Sequence, residues 1–191
     1  MYKRQVAEVF LPSVFEDQEF QKKIADSLEL PESADSAQVA SSLLKHTENL
    51  LKNHEHVVEA QERYDSVSQR AFDSGVVNVI AGGNQGALAQ SLAQQGVAVG
   101  EETFRSLSVN QWTTVVGAAT AEGKLSGLNS PNGETEVYAL GENVPFQIEG
   151  KTMVTNGTSV SAPLISSHIV HTLEEFPDWT PAEVEKSMTG G

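Results

Sequence analysis

Cysteine is absent from the 191-residue sequence. That excludes disulfides, thiolate metal sites and a cysteine nucleophile, and it leaves the compartment open. Positive charge is scarce: 12 Lys and Arg stand against 26 Asp and Glu, for a net charge of -14 at pH 7. So acidic a chain is repelled by a phosphate backbone, which argues against nucleic acid as a partner. No apolar run approaches the roughly 20 residues a bilayer span needs, and no apolar signal-peptide core follows Met1-Tyr2-Lys3-Arg4-Gln5. Membrane association is therefore not expected. Internal repeats and low-complexity stretches are also missing. What is left, 39% hydrophobic and 20% charged, is a globular composition with enough chain to bury a core.

The chain reads in two parts, 1–75 and 76–191. The first is polar and helical in pattern. Phe20, Ile24 and Leu28 recur every fourth residue, and Pro31 stops that helix. Between Ser33 and Ser74 there is neither Gly nor Pro, while Leu43, Leu50, Val57, Tyr64 and Ala71 fall seven apart. This is one long amphipathic helix or two in tandem, packed on its own domain or presented as a coiled-coil arm or dimer seam. Gly75 stands where a C-terminal cap belongs.

Beyond Gly75 the pattern changes. Val76 to Ala81 is a short, β-branched run that suits a strand covered on both faces, ending in the loop Gly82-Gly83-Asn84-Gln85-Gly86. Trp112 to Ala119 and Glu136 to Leu140 are further strand candidates. Val144 to Thr155 reads as a hairpin turning at Glu149-Gly150. Asn156-Gly157-Thr158-Ser159 opens a helix to about Leu173, and Thr180-Pro181 with Glu183 opens a last one through a capping box. The alternation makes the fold class α/β.

Two short segments carry chemistry. Ser159, in the first turn of a helix, would have free backbone N–H groups and the positive end of the helix dipole around its Oγ, a setting for attack on a carbonyl. It would equally serve as a plain N-cap. Asn84, at the C-terminal end of the Val-rich strand, would offer an amide donor to developing negative charge, or would simply accept a tight turn.

Taken in order, the strand ending A-G-G-N-x-G, the strand T-V-V-G-A, the hairpin and N-G-T-S-x-x-x-P opening a long helix resemble the C-terminal half of subtilisin-like serine proteases (subtilases). Phe176-Pro177-Asp178-Trp179-Thr180-Pro181 resembles the turn and helix that close that family's catalytic core. The resemblance covers about residues 60 to 188. It implies a partial subtilisin-like fold, a mostly parallel sheet flanked by helices, with residues 1–75 as a helical insertion. It also implies serine endopeptidase activity on a polypeptide substrate. Ser159 would be the nucleophile, Asn84 the oxyanion donor, and the backbone of Ala81, Gly82 and Gly83 the lining of the primary specificity pocket. An extracellular location follows from the family. No cofactor is identified, and structural calcium is the one metal the resemblance brings in.

Departures are small around the serine. Leu164 and Ser166-Ser167 stand where histidine and glycine often follow the proline matched by Pro163, and the family's A-P-G reads Ala139-Leu140-Gly141. Asn156-Gly157-Thr158 matches a glycosylation acceptor, which a working cleft makes a coincidence.

The larger departure is the rest of the triad. Subtilases carry it in the order Asp, His, Ser, yet no D-S-G, D-T-G or H-G-T-H is found. The histidines are His46, His54, His56, His168 and His171. The first three fit a solvated helix face, and His54 and His56, two apart, should point away from each other. The family's histidine precedes its asparagine by about as many residues as precede Asn84 here. The expectation is a truncated gene: Met1 to Gln5 resembles adapter read-through, and Val6 to Leu11 the remnant of the substrate-edge strand. The alternative is a pseudoprotease or binding module that keeps the cleft.

Overall fold

The computed structural model describes residues 10–106 and 108–189. Helices come first. α1 (Leu11–Glu16) contains Pro12 and buries Leu11 and Val14, three apart, on one face. Phe10 and Leu11 therefore do not belong to a strand remnant: local preference and burial both favour a helix there. Val6 to Val9 lie outside the described residues. In α2 (Gln18–Ser27) the Asp17 carboxylate accepts from the N–H groups of Glu19 and Phe20.

The long periodic stretch is two helices, α3 (Ser36–Asn53) and α4 (Glu55–Asp73). A capping box between Asp35 and Gln38 starts α3. His54 alone separates the two, its backbone extended at ψ 120. At the far end of α4, Gly75 takes φ +89 and the Val76 N–H reaches the Ala71 carbonyl, a Schellman closure of the kind the glycine foretold.

A three-stranded parallel sheet follows, in the order β1 (Asn78–Ala81), β2 (Thr113–Ala119), β3 (Val137–Leu140). Ile80 pairs with Val115, and Ala118 with Ala139. β2 is buried along its whole length because it is central; β1, at the edge, is only half-buried. That edge position is why the Val-rich run is not covered as fully as its residues suggest. Between β1 and β2 lie α5 (Gly86–Gln94) and α6 (Glu101–Phe104). After β3 a separate antiparallel hairpin, β4 (Val144–Ile148) and β5 (Lys151–Thr155), turns through Glu149 and Gly150, both with positive φ.

The chain then enters α7 (Thr158–Glu175), which crosses all three strands of the sheet, and ends in α8 (Pro181–Thr189). Ser161, Ile165 and Ile169 form the buried stripe of α7 at helical spacing. Ile165 and Ile169 meet Val116, Val137 and Val184 in one core. A second core joins Leu11, Val14, Val39, Ala40 and Leu44 of the first helices to Leu92, Val97 and Phe104. Among the described residues no helix is long and apolar enough to cross a membrane.

Candidate functional site: the loop after β1 and the start of α7

Ser159 is the second residue of α7, and Gly157 is the N-cap. Among the described residues the Ser159 hydroxyl has no hydrogen-bond partner, so it is not spent on holding the helix end. The Ser159 side chain is exposed, while Thr158 before it and Ser161 after it are fully buried. Pro163 lies four residues beyond Ser159 inside the helix and cannot donate back to the Ser159 carbonyl.

Asn84 comes from the other direction. Gly82 closes β1 by donating to the Val116 carbonyl, and Gly83, at φ +102, turns the chain so that Asn84 needs no unusual backbone. The tight-turn duty therefore falls on Gly83. The Asn84 side chain crosses 74 residues of sequence to reach Thr158: its Oδ1 accepts from the Thr158 N–H at 2.8 Å and from the Thr158 hydroxyl at 3.1 Å. The Thr158 hydroxyl also accepts from the Gly83 N–H at 3.1 Å. A backbone N–H can only donate, so the amide oxygen must face Thr158 and the NH2 group must face the other way.

Gly157 shows where that NH2 group points. A Cβ on Gly157 would lie 2.9 Å from Asn84 Nδ2 and 3.3 Å from Ser159 Oγ. The two groups are thus no farther apart than the sum of those distances, across a point that only glycine leaves empty. Gly157 also holds φ +141, which L side chains rarely adopt. Its N–H donates to the Gly141 carbonyl at 2.8 Å, fixing the loop to the end of β3. Gly141 is equally constrained, since a Cβ there would meet Ser161 Oγ and Ala118 Cβ well inside contact distance. Among the described residues no acceptor takes the Ser159 N–H or the Asn84 NH2 group, and no side chain hydrogen-bonds Ser159 Oγ. The Ser159 hydroxyl and the Asn84 NH2 group therefore open on the same small space, and the Ser159 N–H is unspent.

The other named residues fall into place around it. Ala81 is exposed at the end of β1. The Gly82 carbonyl accepts from the buried Asn132 side chain at 2.7 Å, and the Gly83 carbonyl from the Ser130 N–H. Asn129 braces β2 by bonding both the N–H and the carbonyl of Ala118. The loop of residues 126–135 is thus a scaffold for the Gly82-Gly83 turn, and sequence reading missed it. Its one signal was the polar, turn-forming run Asn129-Ser130-Pro131-Asn132. Leu164, Ser166 and Ser167 all lie on the exposed side of α7, away from these contacts.

The histidines are elsewhere. His171 pairs with Glu174 on the exposed face of α7, and His168 lies nine residues along the helix from Ser159. His54 and His56 do not point apart: the break at His54 brings their rings to 5.6 Å, because the two residues do not share one helix. Among the described residues no group of three or more His, Asp or Glu side chains could hold a metal ion.

A family model described as the subtilase family matches residues 6–189, the helical segment included. Among solved structures the chain is similar to a lanthipeptide protease, with 14% identity and a TM-score of 0.53 over 75% of this chain and 56% of that one. It is similar also to sphericase, with 14% identity and a TM-score of 0.51 over 84% of this chain and 57% of that one. The chain spans little more than half the length of either. No curated protein matches it. The likeness to the two structures speaks for the shared α/β fold, and the family match over nearly the whole sequence decides membership: the chain belongs to the subtilase family.

Proposed function

We propose that Ser159 is the nucleophile of a subtilisin-like serine endopeptidase and that the Asn84 amide and the Ser159 N–H are its oxyanion donors. The observation that carries this reading is the approach of Asn84 Nδ2 and Ser159 Oγ to one point at Gly157. A peptide carbonyl entering that space would meet the hydroxyl on carbon and both donors on oxygen. A histidine would take the Oγ proton as the bond forms, the tetrahedral oxyanion would be held by the two N–H groups, and collapse would leave an acyl-enzyme for water to hydrolyse. The backbone of Ala81, Gly82 and Gly83 would run along the primary specificity pocket, on the side of the loop that Asn132 and Ser130 stiffen.

The general base and its carboxylate partner are, in this reading, supplied from outside these 191 residues. Among the described residues Ser159 Oγ has no hydrogen-bonding side chain, and nine residues of unbroken helix put His168 roughly 13 Å up the axis. Residues 76–191 would then be the C-terminal half of a catalytic domain, with 1–75 a helical segment laid against it. Without a base, turnover should be lower by about 10⁴–10⁶. The same vacancy at Oγ favours a second reading, a pseudoprotease that binds polypeptide in the cleft without cutting it.

A fluorophosphonate probe on the isolated chain tests the assignment. Slow modification confined to Ser159 is expected. Rapid labelling would show a base within the chain and turn attention to His54 or His56.

A further inference from the structure

A serine within a helix commonly returns its hydroxyl to the carbonyl four residues back. Ser161, at the end of the first turn of α7, does not. The carbonyl four back, that of Gly157, is already taken by the Val160 N–H at 3.0 Å. The Ser161 hydroxyl instead leaves its own helix and donates to the carbonyls of Ala139 at 3.1 Å and Leu140 at 3.3 Å, the last two residues of β3. Ser161 is fully buried, so water cannot replace either bond. Among the described residues no other side chain of α7 hydrogen-bonds a strand of the sheet.

Two further bonds run along the same stretch. The Gly157 N–H donates to the Gly141 carbonyl at 2.8 Å, and the Asn143 N–H donates to Asn156 Oδ1 at 2.7 Å. Residues 139–143 therefore grip the chain at Asn156, Gly157 and Ser161. The exposed Ser159 lies between the last two grips. The one before it is made by backbone alone; the one after it is a single hydroxyl. We propose that Ser161 is a positioning residue, whose hydroxyl pins the first turn of α7 to the end of β3 and so sets where Ser159 Oγ stands relative to Asn84. The inference rests on the nucleophile reading of Ser159. A displacement of 1 Å at a reacting atom can cost about 10² in rate, so a partial slip of the turn should cost about tenfold.

The test follows modification of Ser159 by a fluorophosphonate, with imidazole as the base, in the 191-residue chain across a range of probe concentrations. Circular dichroism checks that each variant is folded at the working temperature. Ser161→Ala should lower the limiting rate about tenfold and leave the half-saturating probe concentration unchanged. Ser161→Thr, which keeps the hydroxyl, should recover most of the rate. Ile169→Val loosens the same helix two turns on, without touching its first turn, and should react like the unaltered chain. The inference is overturned if Ser161→Ala reacts at the unaltered rate, or if Ser161→Thr is as slow as Ser161→Ala. It is overturned too if Ile169→Val slows as much, which would mean loss of stability alone. In each of those cases the nucleophile reading survives, whereas an unaltered chain that is never modified at Ser159 sinks both.

Discussion

The Asn84 side chain helps an oxyanion only if its NH2 group, not its carbonyl oxygen, faces Ser159. Thr158 decides that, through its N–H and its hydroxyl, and it is 1% exposed. Thr158→Val keeps the shape but strands the Gly83 N–H and half of the Asn84 anchor. Leaving a buried donor unpaired costs about 1–3 kcal/mol, a loss that urea unfolding would measure. Gly157→Ala should do something different: its methyl would displace Asn84 from the space at 2.9 Å, so a crystal structure should show the amide rotated away. Ser159 and Asn84 were conspicuous as candidates in the sequence because each sits in a short glycine-marked run. Thr158 and Asn132 were not, because their partners lie 74 and 50 residues away, and only the fold brings such pairs together.

Elements were legible where local chemistry is strong. The Glu149-Gly150 turn, the Gly75 closure and the Thr180 box, in which Glu183 accepts from the Thr180 N–H at 2.8 Å, all follow from neighbouring residues. The break at His54 did not, since neither Gly nor Pro marks it. Helix α7 depends on its buried stripe, and Ile169→Ala should cost about 2–5 kcal/mol, read from the same unfolding curves. At the start of β2 two carboxylates are held against their preference. Loss of solvent raises Glu185 above its ordinary 4.5 despite the Thr114 hydroxyl it accepts, and Glu136 beside it is raised for the same reason. A folded pKa above the unfolded one gives stability that is complete below 4.5 and lost as pH climbs through the raised value. Glu185→Gln keeps the acceptor for Thr114 and drops the charge. It should raise the melting temperature at neutral pH, with the gain vanishing below 4.5.

At the scale of the molecule, order mattered more than any single motif. Strand, glycine loop, strand, hairpin and serine helix follow one another as in subtilases, and the family match bears that reading out. The packing between parts was less legible. The first helices share a core with Leu92, Val97 and Phe104, residues on the far side of the composition change near Gly75. Hydrophobic periodicity tells that a helix face is buried, not which distant segment buries it. The acidic surface should keep the chain off heparin and nucleic-acid columns at physiological salt.

The central proposal joins Asn84 and Ser159 on one oxygen with the base supplied from elsewhere, and free imidazole can stand in for a histidine. The decisive measurement is the rate of fluorophosphonate modification at Ser159 as imidazole is added, in the unaltered chain and in Asn84→Ala. The rate should climb with imidazole and fall on removing the asparagine, by up to about 10²–10³, the magnitude known for the matching donor of subtilisin itself. An imidazole-driven rate that is the same with and without Asn84 would contradict the account.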